Sequence, residues 1–214
     1  LTVIVAGVVF LIALRPSLDQ VPLASIVFFA VLTFIAEAMP VAFPRGNATI
    51  SVGFVVVYAS ILLFGPSVGA WIAAIGTLRL KDLTGQVEPY KVLFNRSLLA
   101  ISAGLTGLVY GWTGGVILTE DPTTAIFPLV ACGVTYIAVN TTLMVGVMSL
   151  QTKTSPWSMF GANFRWMVPN LVVFEPLGVM LAQVFVLQGA PSVALFVIPL
   201  LVARYSFQLY IKMR

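Results

Sequence analysis

GFVVVYASILLFGPSVGAWIAAIGTL, residues 53–78, is the stretch that decides the fold. It carries no charged side chain, and Gly65-Pro66 divides it into two apolar arms, Gly53–Phe64 and Ser67–Leu78. Each arm is shorter than the ~20 residues that a helix needs to cross a bilayer. The pair therefore predicts either two short spans or a re-entrant hairpin, and in both cases its two ends lie on the same side.

The rest of the chain is equally apolar. The 214 residues are 60% hydrophobic and 8% charged, whereas a soluble domain has roughly 25% charged residues. Continuous apolar runs indicate membrane helices, because the strands of a barrel would alternate. We expect an all-α, polytopic membrane protein of about eight transmembrane helices or half-helices: Leu1–Leu14, Val21–Met39, the two arms, Leu98–Trp112, Ala125–Leu150, Leu171–Leu187 and Val193–Ala203.

The positive charges predict an orientation. When the runs are threaded through a bilayer, all of the 11 Lys and Arg residues except Arg15 fall on one side. Cationic loops stay in the cytoplasm, so we expect a bacterial inner-membrane protein with both termini inside. Residues 1–214 form one integral-membrane domain, expected to be a piece of a longer protein. Membrane lipids are its expected partners, and no basic stripe suggests nucleic acid.

Some residue types are scarce, and this excludes several kinds of chemistry. There is no histidine, which argues against haem ligation, the usual zinc sites and histidine-dependent nucleophiles. Cys132 is the only cysteine, so no internal disulfide can form. No phosphate-binding or nucleophile motif is present. We therefore expect no catalytic residue, metal or cofactor in this chain.

Polar residues inside the apolar runs are the candidate site, because intramembrane acids usually mark function. One hypothesis is structural, with the acids pairing to arginines. A second is a pocket for a small or lipophilic ligand, and a third is a proton path, against which the nearly charge-free outer half argues. The candidate ligand-binding residues are Glu37, Asn95, Asn140, Asn170 and Glu175, and the candidate ion-pair partners are Arg45, Arg96 and Arg165.

Two further patterns concern packing. The aromatic and basic segments Val87–Arg96 and Ser155–Asn170 predict amphipathic elbows at the inner interface. Each precedes a span that ends at glycine, Gly115 or Gly189, which suggests a weak internal repeat. Small residues four apart predict close helix packing, within one chain or in a homodimer. They form two stripes: Ala103, Gly107 and Gly111, and Gly65, Gly69 and Ala73.

The carboxy-terminal segment 203–214 has no helix-stopping residue and predicts the start of a signalling helix that leaves the membrane. Its candidate residues are Arg204, Tyr205, Tyr210 and Arg214. RYSFQLYIKMR, residues 204–214, resembles the juxtamembrane helix of bacterial membrane-bound HD-GYP phosphohydrolases. Two upstream segments are similar to that family as well: AEAMPVAFPRGNATISVGFVVVYASILLFGP (36–66) and YKVLFNRSLLAISAGLTGLVYGWTGG (90–115).

This resemblance implies an amino-terminal membrane sensor or anchor region of a cyclic di-GMP phosphodiesterase, whose catalytic domain would follow Arg214. The HD and GYP motifs themselves are absent from this chain. We therefore expect a signal-input domain. The alternatives are a small-molecule transporter or substrate-capture component, supported by the repeat and the buried acids, and a structural subunit of a membrane complex.

Overall fold

The computed structural model describes residues 1–16, 21–38, 41–42, 49–50, 52–116, 126–161, 167–193 and 195. The described part is helical, as predicted, apart from one antiparallel pair of two-residue strands in which Val41 lies opposite Ile50. The elements are α1 (Thr2–Ala13), α2 (Leu23–Glu37), β1 (Val41–Ala42), β2 (Thr49–Ile50), α3 (Gly53–Gly76), α4 (Leu80–Leu83), α5 (Pro89–Trp112), α6 (Ile126–Thr152), α7 (Pro156–Met159) and α8 (Met167–Gln188).

The central element, α3, reverses direction at Gly65. This residue has φ 80° and ψ −176°, a conformation that essentially only glycine adopts. A Cβ placed on Gly69 would lie 3.2 Å from the Cα of Ile61, although residues eight apart in a straight helix are separated by about 12 Å. α3 is therefore a helical hairpin with a first arm (Gly53–Phe64), a tip at Gly65-Pro66 and a second arm that ends at Gly76.

The hairpin gives the fold two ends. We call the end that carries Gly53 and Gly76 the base, and the opposite end the tip side. Each arm rises only about 18 Å, because a helix advances ~1.5 Å per residue, and this is too short for the ~30 Å core of a bilayer. The structure thus supports the hairpin over two complete spans.

The other long helices run alternately along this hairpin. α2 descends to the base, since Phe29 packs on Phe64 and Glu37 reaches Gly53. α5 ascends from Arg96, beside Ala74, to Gly107, which lies against Pro66.

Contacts with neighbouring helices fix the remaining directions. α1 runs parallel to α5, because Gly7 meets Ser97 and Phe10 meets Gly104. α6 descends from Leu129 towards Tyr136, and α8 ascends towards Phe185, which packs on Phe64.

The hairpin also forms the core. Buried residues make up 72% of the apolar window of α3, compared with 44% in α5 and 28% in α6. Lipid is as apolar as leucine, so hydrophobicity alone does not favour this arrangement. Close van der Waals packing of the two arms against the neighbouring helices stabilises it instead, and residues 64–67 at the turn are only partly buried.

By length and composition, three helices of the described part could cross a membrane: Gly53–Gly76, Pro89–Trp112 and Ile126–Thr152. This is fewer than the eight elements predicted, and the first of the three is the hairpin. Shorter apolar helices cover Thr2–Ala13, Leu23–Glu37 and Phe174–Gln188. The run Val193–Ala203 lies almost entirely outside the described residues.

The predicted elbow at Val87–Arg96 is wrong as a separate element. α5 begins at Pro89 and continues to Trp112, because proline is preorganised for the first helical position and no further proline occurs before residue 122. In the second predicted elbow, Ser155–Asn170, the short helix α7 covers Pro156–Met159, and α8 begins at Met167.

Candidate functional site

The base of the hairpin begins at a buried carboxylate. Glu37, the last residue of α2, is 8% exposed and lies against Gly53, the first residue of α3. A Cβ on Gly53 would overlap a Glu37 carboxylate oxygen, so the close approach requires glycine. A helix N-terminus favours a negative charge, and Arg79 Nε lies 3.5 Å from the same carboxylate. Glu37 therefore fixes the start of the hairpin.

The second arm is held at the base by Arg96 of α5. Its Nη1 donates a hydrogen bond to the backbone carbonyl of Ala74, one of the last carbonyls of α3, which have few partners within the helix. Its Nη2 lies 3.9 Å from Asp82, and that carboxylate accepts a 3.1 Å hydrogen bond from the backbone N–H of Arg79. One guanidinium thus ties the second arm to α5 and to the short helix α4 that follows the arm.

Tyr136 of α6 connects two of the predicted site residues. Its hydroxyl interacts with the Asn140 amide and with the charge of Glu37, and its ring packs on Phe54 with centroids 4.6 Å apart. The structure therefore brings Glu37 and Asn140 together around the first turn of the hairpin.

Glu175 of α8 belongs to a second polar cluster. A Cβ on Gly133 would overlap the Glu175 carboxylate, so glycine leaves the space that the acid occupies. Tyr58 and Cys132 interact electrostatically with this carboxylate, and the Tyr58 hydroxyl donates a 3.1 Å hydrogen bond to the carbonyl of Leu129. Glu175 Oε1 is buried and has no hydrogen-bond partner in the described part of the chain. Gly133 precedes Tyr136 by about one helical turn, so the two clusters are neighbours along α6.

The face of α8 that carries Glu175 touches the hairpin directly. A Cβ on Gly178 would lie 2.8 Å from Tyr58 Cδ1 and 3.2 Å from the carbonyl oxygen of Val55. Residues three apart share one face of a helix, so Glu175 and Gly178 both face the first arm. A displacement of the hairpin would therefore act on α8 without an intermediate element.

The other predicted residues are placed less closely. Asn95 is half-buried in α5, next to Arg96, and Asn170 lies in α8 with its side chain outside the described part. Six predicted residues lie outside the described residues: Arg45, Arg165, Arg204, Tyr205, Tyr210 and Arg214. Among the described residues, no group of three or more His, Cys, Asp or Glu could hold a metal ion.

Sequence reasoning missed three residues of this region, Arg79, Tyr58 and Tyr136. Arg79 was detectable, because it directly follows the second arm and so must lie at the same end as Glu37. The tyrosines were visible as the polar members of apolar runs, and a buried tyrosine hydroxyl usually has a hydrogen-bond partner.

A family model, MASE9, matches residues 3–211, nearly the whole chain. The chain belongs to the MASE9 family. MASE domains are membrane sensor domains, so this MASE9 chain is a membrane-associated sensor domain, and the prediction of a membrane sensor region is confirmed at that level. No curated protein and no solved structure matches it significantly.

Proposed function

We propose that this MASE9 domain is the signal-input region of a bacterial inner-membrane protein and controls a cytoplasmic cyclic di-GMP phosphodiesterase that follows Arg214. The observation that carries the proposal is the contact of Gly178 with Tyr58 and Val55. α8 is the last helix with described bounds before the predicted signalling segment 203–214, and this contact joins it to the central hairpin. A signal that moves the hairpin would act on α8 and reach the effector through the run Val193–Ala203 that follows it.

The distribution of charge supports a cytoplasmic base. Arg79, Lys81, Lys91 and Arg96 lie in or beside the base ends of α3, α4 and α5, and Lys153 follows the base end of α6. Arg15 follows the tip-side end of α1. Under the positive-inside rule the base faces the cytoplasm. Six elements would then cross the membrane: α1, α2, α5, α6, α8 and the run Val193–Ala203. An even number of crossings leaves both termini in the cytoplasm, and the two arms bring the total to about eight helices or half-helices.

The sensor proposal is tested on the full-length protein. The gene should encode an HD-GYP domain after Arg214, and membranes containing the protein should hydrolyse cyclic di-GMP. Gly178→Ala introduces a methyl group into the contact between α8 and Tyr58. We expect the basal hydrolysis rate to change by about 2- to 30-fold, the range that coupling energies of 0.5–2 kcal/mol produce.

Gly146→Ala is the matched control, since Gly146 also lies in a long helix, α6, and a Cβ there meets nothing within 4 Å. Its hydrolysis rate should equal that of the wild type. A different domain after Arg214, or an unchanged rate in a folded Gly178→Ala protein, would overturn the proposal.

The hairpin also favours a second candidate, a small-molecule transporter. Transporters often bind their substrates at broken or half-length helices near the middle of the membrane, and the two arms that meet at Gly65 have this form. Uptake of labelled solutes into proteoliposomes separates the candidates, because a pure sensor moves nothing across the bilayer.

A further inference from the structure

A cavity of about 330 Å³ lies on the tip side of the hairpin. The tip is level with Gly107, because a Cβ there would lie 2.6 Å from Pro66 Cα. α5 continues for five residues beyond this point to Trp112, which corresponds to about 7.5 Å. The hairpin therefore stops short of the end of α5 and leaves a space that the described residues do not fill.

The walls of this cavity are mainly apolar side chains and backbone. Ile61, Phe64 and Val21 supply apolar surface, and Gly111 and Gly115 bring main chain to the lining. The Tyr110 hydroxyl also lies here, but it already donates a 2.9 Å hydrogen bond to the carbonyl of Val116. Such a surface suits a compact apolar group, and the volume lies at the lower end of the ~300–1,000 Å³ typical of ligand sites.

One charged side chain completes the lining. Arg15 is exposed at the rim, and no acidic residue of the described ranges lines the cavity. Guanidinium groups bind carboxylates through two parallel hydrogen bonds. The second arm begins at the tip, so the partial positive charge of its first turn adds to that of Arg15. Both contributions favour an anionic group near the mouth.

We propose that this cavity binds a small organic anion whose carboxylate pairs with Arg15 and whose apolar body packs between Phe64 and α5. The inference rests on the proposed sensor function, for which it names the class of ligand. A ligand here would touch Pro66 and Gly65 directly, and the hairpin reaches α8 through Tyr58. Occupancy of the cavity would therefore bias the position of the hairpin and, through it, of α8.

The test uses the 214-residue chain in nanodiscs of neutral phosphatidylcholine. The probes are benzoate, butyrate and hexanoate, each paired with its uncharged amide. A ligand at about five times its Kd should raise the unfolding temperature by roughly 2–4 °C. We expect at least one carboxylate to do so saturably while its amide does not.

Two substitutions assign the effect to the cavity. Arg15→Gln should weaken binding of the carboxylate by about 10-fold or more, the consequence of losing a bidentate charged pair. Gly111→Leu should abolish binding by filling the space, because a Cβ at Gly111 meets nothing within 4 Å. Gly146→Leu, equally open but in α6, should bind as the wild type does. If Gly111→Leu fails to fold, Gly111→Ala serves with a smaller expected loss.

Several outcomes would overturn the inference. The first is an unchanged unfolding temperature with every carboxylate at ~10 mM, a concentration well above the weakest Kd of interest of about 1 mM. The second is an equal rise in unfolding temperature with the acid and its amide. The third is unchanged binding in both cavity variants. Binding by the isolated chain does not depend on any effector. If no probe binds while Gly178→Ala still changes the hydrolysis rate, only this inference is refuted. If a probe binds while the hydrolysis rate of Gly178→Ala stays unchanged, only the proposed effector is refuted.

Discussion

Arg96 of α5 donates a hydrogen bond to the backbone carbonyl of Ala74, 22 residues earlier and in the second arm of the hairpin. No other side chain of the described part donates a hydrogen bond to this carbonyl, and the same guanidinium lies near Asp82. A single cation thus joins the end of the hairpin to the start of the next long helix.

Arg96→Gln should destabilise the protein by roughly 1.5–3 kcal/mol, the usual contribution of a hydrogen bond that involves a charged group. Unfolding in mixed micelles of increasing denaturing detergent measures the change. Lys91→Gln is the control, since the Lys91 ammonium group contacts only exposed neighbours in the described part of the chain, Glu88 at 2.6 Å and the Tyr90 ring at 5.7 Å from its centroid, and exposed pairs contribute about 0–1 kcal/mol. Equal losses in the two variants would show that the Ala74 bond does not stabilise the hairpin.

The hairpin predicts that both ends of α3 are reached from one side of the membrane. In a Cys132→Ala background, Val52→Cys and Thr84→Cys should react with an impermeant maleimide in inverted vesicles and not in intact cells. Thr113→Cys, at the tip-side end of α5, should show the opposite pattern. If Val52→Cys and Thr84→Cys label from opposite sides, α3 is a span. If both label only in intact cells, the hairpin stands and the orientation is reversed.

The close approach of the two arms depends on Gly69. In Gly69→Ala the new methyl group would lie 2.5 Å from Ile61 Cγ1, so the arms must separate. We expect a loss of about 1–3 kcal/mol in the free energy of unfolding, as in other overpacked interiors. Gly146→Ala should instead be neutral or stabilising by up to about 1 kcal/mol, because alanine favours a helix. A neutral Gly69→Ala variant would contradict the hairpin packing.

Glu37 and Arg79 should be only weakly coupled. Their atoms are 3.5 Å apart, but the Arg79 side chain is 54% exposed, so solvent screens the pair. A double-mutant cycle with Glu37→Gln and Arg79→Gln should give a coupling of about 0.5–1 kcal/mol. Glu37→Gln alone should cost more than Arg79→Gln, because it also removes the negative charge beside the N-terminus of α3. A larger loss for Arg79→Gln would mean that Glu37 does not stabilise the start of the hairpin.

The two arms of the hairpin could be predicted from the sequence, but their packing against each other could be predicted only in part. Gly65-Pro66 predicted a break, because proline cannot continue the preceding helix and glycine tolerates unusual backbone angles. Charge bias could not separate a hairpin from two spans, since both return the chain to the same side. The length of each arm, about 18 Å against a bilayer core of ~30 Å, favours the hairpin. The antiparallel contact of Gly69 with Ile61 depends on the φ and ψ values that Gly65 adopts.

The candidate site was predicted unevenly for a similar reason. Glu37 and Asn140 stood out as polar residues in apolar runs, and Tyr136 brings them together. Glu175 of α8 stood out as well, yet its carboxylate lies beside Gly133 of α6, about one helical turn from Tyr136. The depth of a residue in its run can be estimated from the sequence. Which face of each helix turns inward depends on packing, and the apolar runs here have hydrophobic residues on every side.

The small-residue stripes show how packing decides between two interpretations of one pattern. Gly69 contacts Ile61 and Gly107 contacts Pro66, so both glycines serve contacts within the chain. In Gly111 the same spacing leaves open space. The stripes therefore supply no free surface at Gly69 or Gly107 for a homodimer.

Gly69 lets the two arms lie so close together that they form one unit, and among the described residues its ion pairs lie only at the base. Arg79 and Arg96 restrain that end, while the other meets its surroundings through glycine, proline and apolar side chains. Such a unit would respond to a push by tilting about its charged end, with the largest displacement where the restraint is weakest. A modest change in the thickness or lateral pressure of the bilayer would then produce the same motion as a bound molecule. The one hairpin could therefore respond both to ligands and to the mechanical state of the membrane.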